Sequence, residues 1–135
     1  MKLLKFIPAI LWALLILFLC SIPGRDLPAA GWMDLVSFDK WAHFALFAVQ
    51  MGLLLHAIRK QYSAYPRRFD ERWYWFGAVI IYGGLTEGYQ HWFLEDRTAD
   101  IYDFVANTAG ALAGWWIYER YLSVRFRRND YEKTL

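Results

Sequence analysis

The sequence predicts an all-α protein, a bundle of four membrane-spanning helices with both termini on the cytoplasmic side. Two stretches are long and apolar enough to cross a bilayer, which takes roughly 17–25 residues at about 1.5 Å per residue, and two more are predicted as spans although they contain polar residues. The basic residues collect in alternate connections between these stretches. The first stretch also lacks the polar face that a helix of a small soluble bundle requires.

The predicted spans follow one another in a single domain that covers residues 1–135. They are residues 6–22, 41–58, 73–94 and 101–118, followed by a basic tail at 119–135. The first span contains no charge. The last two contain acidic and amide residues, and we predict them as spans because the rest of each stretch is strongly apolar. A soluble all-α bundle is the competing interpretation.

The first stretch could instead be a signal peptide, because Lys2 and Lys5 precede an apolar run. No small-x-small cleavage site follows it, and the residues before Cys20 are too bulky for a lipoprotein signal. We therefore expect a retained helix that ends before Pro23 and Gly24. Cys20 is the only cysteine, which excludes an intramolecular disulfide and a cysteine zinc site.

The distribution of basic residues predicts the orientation. Twelve of the 15 Lys and Arg residues lie before the first span, between the second and third, or after the fourth. The other side receives only Arg25, Lys40 and Arg97. Because basic residues accumulate on the cytoplasmic side, we predict a multi-pass inner-membrane protein and expect no nucleic-acid partner. The second half of the 23–40 connection is predicted to lie on the outer leaflet as a short amphipathic helix.

Three helices bring polar residues to the outer end of this predicted bundle. Spacings of three and four residues place each group on one helical face. A charge about 10 Å inside a helix end is costly unless it is paired or hydrated. We therefore predict an outward-opening polar pocket. Its residues are Asp39, Lys40, His43, Glu87, Gln90, Arg97, Asp100, Asp103 and Asn107.

The fourth helix also carries small residues where close packing is expected. Gly110 and Gly114 continue its polar stripe and form a small-xxx-small surface, which permits close helix approach. Gly83 and Gly84 of the third helix are the expected receiving surface.

Three motifs of the chain resemble the VanZ-like family. The likeness covers about residues 35–118. The motifs are D-K-x-x-H-F at 39–44, E-x-x-Q at 87–90, and R-x-x-D-x-x-D-x-x-x-N-x-x-G at 97–110. The resemblance implies a bacterial membrane protein, related to a founding member associated with low-level resistance to the glycopeptide teicoplanin. It does not imply a particular biochemical activity.

Three functions are compatible with the predicted pocket, and we rank ligand binding first. The ligand would be an amphiphile of the envelope, either a lipid-linked cell-wall intermediate or an acylated glycopeptide, and its binding would contribute to glycopeptide tolerance. The pocket residues other than Glu87 and Asp103 would bind it, with cations meeting phosphate or carboxylate. In the second function, a membrane-embedded enzyme uses Glu87 and Asp103 as acid and base on a lipid-linked substrate. In the third, the polar network only fixes helix register.

Several of these residues also have structural interpretations. Asp39 and Asp100 stand where N-cap residues are expected. Gln90 and Asn107 could form hydrogen bonds between helices rather than contact a ligand.

A metal site is a further interpretation. Glu87 and His91 have the helical spacing of zinc ligands, and His43 and Asp103 could lie near them. Because His91 lies outside the family pattern, we expect no metal and no cofactor, and membrane lipids are the expected partners.

Overall fold

The computed structural model describes residues 3–22, 38–61, 69–94 and 100–122. These ranges contain four α-helices and no strand, which confirms the all-α prediction. The helices are α1 (Ile7–Cys20), α2 (Phe38–Gln61), α3 (Phe69–Phe93) and α4 (Ile101–Ile117). A 3₁₀ turn, Leu3–Phe6, precedes α1, and one π-helical turn, Tyr118–Leu122, follows α4. The predicted amphipathic segment, Arg97 and most of the basic tail lie outside the described residues.

The polar ends of α2 are helical, although the predicted span stopped short of them. The helix begins with Asp39 in its first turn and ends with Arg59 and Lys60 in its last turn. Hydropathy marks where an apolar run stops, whereas a helix continues through charged residues that suit its ends. An acidic residue at the start and basic residues at the end interact favourably with the helix dipole.

One end of the bundle, which we call the basic end, joins the start of α1 to the end of α2. There the Lys5 ammonium donates to the backbone carbonyl of Lys60. At the same end Arg72 Nη1 lies 3.3 Å from Glu119 Oε1, which joins the start of α3 to the residues after α4.

The opposite end, which we call the polar end, joins the remaining helix termini. Gln90 Nε2 donates to the carbonyl of Cys20 at 3.1 Å, near the ends of α3 and α1. Lys40 Nζ donates to Asp100 Oδ2 at 2.8 Å, at the starts of α2 and α4. Successive helices therefore alternate in direction, and α2 runs parallel to α4.

The glycines of α4 allow its backbone to lie directly against that of α2. A Cβ at Gly110 would lie 2.1 Å from the carbonyl oxygen of Phe44, and one at Gly114 would lie 2.1 Å from that of Ala48. The expected receiving surface on α3 is therefore wrong. Gly83 of α3 instead has the side chains of Phe47 and Asn107 beside it.

Polar side chains are buried in this bundle, and many large apolar ones are exposed. On α1, Leu11, Leu14 and Phe18 are 61%, 57% and 66% exposed. The buried polar residues are His43, Gln50, Thr86, Glu87, Gln90, Asp103 and Asn107. The bundle thus combines an apolar core with buried polar groups and an exterior that carries large apolar side chains.

Within the described ranges, one helix is long and apolar enough to cross a membrane by length and composition. It is Phe38–Gln61, which is α2. A second apolar helical stretch, Leu4–Cys20, is shorter.

Candidate functional site

Lys40 connects the first turn of α2 to the start of α4. Its Nζ donates to Asp100 Oδ2 at 2.8 Å and to Asp103 Oδ1 at 2.9 Å. Asp100 is also the N-cap of α4, because its Oδ1 accepts the Tyr102 backbone N–H at 2.8 Å. The hydrogen bond from Lys40 lowers the pKa of the Asp100 carboxyl, and the Tyr102 N–H acts in the same direction. Asp100 therefore has both predicted roles: its Oδ1 caps α4, and its Oδ2 binds Lys40 in the site.

His43 lies at the centre of the polar end and is 4% exposed. Its Nδ1 is 3.0 Å from the side-chain oxygen of Asn107. Because an amide oxygen only accepts hydrogen bonds, this contact requires a proton on Nδ1. The other ring nitrogen, Nε2, lies 3.8 Å from Asp39 Oδ1 and 4.0 Å from Asp103 Oδ2. Both distances are longer than a hydrogen bond.

Asn107 joins His43 to Glu87. The Asn107 Nδ2 donates to Glu87 Oε1 at 3.4 Å, and the same carboxyl oxygen lies 3.8 Å from His43 Nδ1. Glu87 is 5% exposed, and its Oε2 receives no hydrogen bond of regular geometry from the described residues. The backbone N–H of Asp100 faces this carboxyl group. Glu87 is therefore a buried carboxyl with incomplete hydrogen bonding, placed behind the histidine.

The site is acidic in the part of the chain that the structure describes. Four carboxyl groups share one ammonium, that of Lys40, and one imidazole, that of His43. The carboxyl groups belong to Asp39, Glu87, Asp100 and Asp103. Three potential metal-ligand atoms, one each from Asp39, His43 and Asp103, lie within 4.8 Å of one another.

Seven of the nine predicted pocket residues form one connected cluster at the polar end. Gln90 contacts α1 instead, because its side-chain N–H donates to a carbonyl at the end of that helix. From the sequence, Gln90 could form a hydrogen bond between helices instead of contacting a ligand, and this contact is such a bond. Arg97 lies outside the described residues, and His91 is exposed on α3. The seven residues are Asp39, Lys40, His43, Glu87, Asp100, Asp103 and Asn107.

Sequence reasoning missed the residues of α2 that receive the α4 glycines. They are Phe44 and Ala48, whose backbone atoms form the contact. Small-residue spacing does not reveal this pair, because Phe44 is a large residue that takes part through its backbone. This contact matters for the site because it fixes how far α2 and α4 slide along each other.

Comparison with known proteins identifies the family. The sequence profile described as VanZ/LLP1 matches residues 2–123, most of the chain. No curated protein and no solved structure matches the chain significantly. The matched range contains all four helices and every residue of the polar end. The VanZ-like resemblance is thus confirmed, and the chain belongs to the VanZ/LLP1 family.

Proposed function

We propose that the chain is a four-span protein of the bacterial inner membrane whose polar end opens outward and binds an amphiphilic envelope ligand. The ligand is a lipid-linked cell-wall intermediate or an acylated glycopeptide. One observation carries the proposal. Four ionisable or amide side chains, each at most 5% exposed, are gathered at one end of a bundle with an apolar exterior. They are His43, Glu87, Asp103 and Asn107.

Helix lengths support four spans. With their flanking turns, α1 covers residues 3–20 and α4 covers residues 101–122. At 1.5 Å per residue these lengths are about 27 and 33 Å, close to the roughly 30 Å of a hydrocarbon core. The alternating helix directions place the start of α1 and the end of α4 at the basic end. That end carries Lys5, Lys60 and Arg72, as the cytoplasmic side should.

The chemistry of the site suits a headgroup rich in hydrogen-bond donors. Carboxylate oxygens, which only accept hydrogen bonds, predominate around His43. Sugar hydroxyls and peptide or amino N–H groups are their natural partners. Lys40 uses two of its three N–H groups on Asp100 and Asp103, which leaves a third for a phosphate or carboxylate of the ligand.

A membrane-embedded enzyme is the second candidate, and one observation favours it. The buried carboxyl of Glu87 has an oxygen without a regular hydrogen bond and lies 3.8 Å from His43. A carboxyl and an imidazole in this arrangement are able to exchange a proton with a bound substrate. In this alternative Glu87 and Asp103 act as acid and base on the same lipid-linked substrate.

Two conservative substitutions test the binding site. Glu87→Gln and Asp103→Asn preserve side-chain size and remove negative charge from the polar end. We expect loss of the glycopeptide-tolerance phenotype with little change in expression or melting temperature. The matched control is Glu119→Gln, which neutralises a carboxylate at the basic end and should leave the phenotype intact.

The same experiment separates the three functions. If a large fall in melting temperature accounts for the loss of phenotype, the polar residues form a structural network. That result would contradict a ligand site. Lipid mass spectrometry then distinguishes the remaining two. Retention of an unmodified lipid on the purified protein supports binding, whereas an altered lipid-linked species in cells that contain the protein supports catalysis.

A further inference from the structure

We propose that the polar end binds a divalent metal ion between Asp39, His43 and Asp103. One potential ligand atom from each residue lies within 4.8 Å of the other two. Three atoms this close to one another always have a point within about 2.8 Å of all of them, whereas zinc–nitrogen and zinc–oxygen bonds are about 2.0–2.2 Å. Small side-chain rotations therefore close the site around an ion.

The orientation of the His43 ring supports the proposal. Its Nδ1–H donates to the Asn107 side-chain oxygen at 3.0 Å, which leaves Nε2 as the ring nitrogen available to a metal ion. Nε2 faces the carboxyl groups of Asp39 and Asp103 at 3.8 and 4.0 Å. Metal-binding histidines in proteins are commonly oriented by such a hydrogen bond from the second ring nitrogen.

Glu87 provides a second, independent observation. It is 5% exposed, its Oε1 lies 3.8 Å from the His43 ring, and its Oε2 has no regular hydrogen-bond partner among the described residues. Glu87 also accepts the Asn107 side-chain N–H, so hydrogen bonds link His43 through Asn107 to Glu87 and hold the imidazole in the orientation that a metal ion requires.

The other charged groups of the polar end are compatible with a bound cation. Among the described residues of this end, four carboxyl groups lie near a single ammonium, that of Lys40. Lys40 donates a hydrogen bond to Oδ1 of Asp103, whereas the oxygen of Asp103 that faces the histidine is Oδ2. A divalent ion therefore reduces the negative charge without displacing the lysine.

The ligand set indicates the class of metal. One imidazole nitrogen with carboxylate oxygens suits Zn²⁺ or Mn²⁺, whereas Mg²⁺ and Ca²⁺ prefer oxygen ligands alone. This inference does not depend on the identity of the envelope ligand, because it concerns only the protein's own side chains.

Metal titration of the full chain tests the site. The protein is purified in lipid nanodiscs, stripped with a chelator, and titrated with Zn²⁺ and Mn²⁺ by calorimetry and by thermal unfolding. We expect one ion per chain and a higher melting temperature with metal. Asp39→Asn should weaken binding at least about tenfold, as the loss of a ligand or its support commonly does. Its side chain is 52% exposed, so this variant should fold normally.

The three histidines of the chain provide matched variants. His43→Gln should abolish binding, whereas His91→Gln and His56→Gln should bind as the unmodified chain does. The proposal is overturned if the unmodified chain binds no ion. It is equally overturned if Asp39→Asn binds normally, or if His91→Gln loses as much affinity as His43→Gln, since the ion would then lie elsewhere.

Discussion

Replacing Gly110 with alanine is expected to destabilise the bundle by about 3 kcal/mol or more, at the upper end of the usual cost of overpacking. The new Cβ would lie 2.1 Å from the carbonyl oxygen of Phe44 and 2.8 and 2.9 Å from two of its backbone carbons. Backbone atoms cannot rotate away as a flexible side chain can. The parallel helices α2 and α4 must therefore separate. Gly114→Ala meets the backbone of Ala48 in the same way.

Two other glycines provide the control for this prediction. An added Cβ at Gly52 or Gly77 meets nothing within 4 Å, and both residues lie inside helices. Gly52→Ala and Gly77→Ala should be neutral or stabilising by about 0.5–1 kcal/mol, because alanine loses less backbone entropy on folding. Unfolding in mixed detergent, monitored by circular dichroism, gives the comparison. If Gly110→Ala is as stable as Gly52→Ala, the close backbone contact does not exist.

Replacing Asn107 with leucine is expected to have the second large effect. Asn107 is 1% exposed, accepts the N–H of His43 and donates to Glu87. Leucine removes both partners and leaves two buried polar groups unsatisfied, at about 1–3 kcal/mol each. Leucine also adds bulk beside Gly83, which the Asn107 Cβ already approaches. We expect a loss of about 2–6 kcal/mol in the free energy of unfolding.

Gln50 provides the matched control, since it is another buried amide in the same bundle. It is 7% exposed, and its Oε1 has no hydrogen-bond partner among the described residues. Gln50→Leu removes an unsatisfied group and should be neutral or stabilising. Similar stability losses in Asn107→Leu and Gln50→Leu would mean that the hydrogen bonds of Asn107 contribute nothing specific.

The packing of α2 against α4 also determines the geometry of the site. The contacts of Gly110 with Phe44 and of Gly114 with Ala48 set the register between two parallel helices. In that register, the first turns of both helices lie side by side. Lys40 consequently reaches Asp103, and one turn further along, His43 and Asn107 meet. A substitution at the glycines should therefore disturb the polar end as well as stability.

Much of this arrangement could be predicted from the sequence, for identifiable physical reasons. The apolar runs predicted the number of helices, and the N-cap preference of aspartate marked the start of α4 at Asp100. The three- and four-residue spacings predicted that polar groups of three helices face one another, because buried charges require partners. The structure places Lys40, His43 and Glu87 in that arrangement.

Other features depend on tertiary packing that spacing along one helix does not encode. A glycine stripe shows that a helix has a close neighbour, but not which neighbour, and the expectation that α3 receives the stripe is wrong. Gln90 lies three residues after Glu87, which turns it by about 60° around the helix axis. That angle directs it toward α1 and the carbonyl of Cys20. The predicted span of α2 was also too short, because charged residues end an apolar run whereas a helix accommodates them at its ends.

The proposed function requires that the polar end face outward across a membrane from the basic end. Phe38 and Lys60 are exposed residues near opposite ends of α2, about 33 Å apart along the helix. In a Cys20→Ala background, Phe38→Cys and Lys60→Cys are treated in intact spheroplasts with a membrane-impermeant maleimide. The account predicts that Phe38→Cys is labelled at once and Lys60→Cys only after permeabilisation. Labelling of both without permeabilisation, or of Lys60→Cys alone, would contradict it.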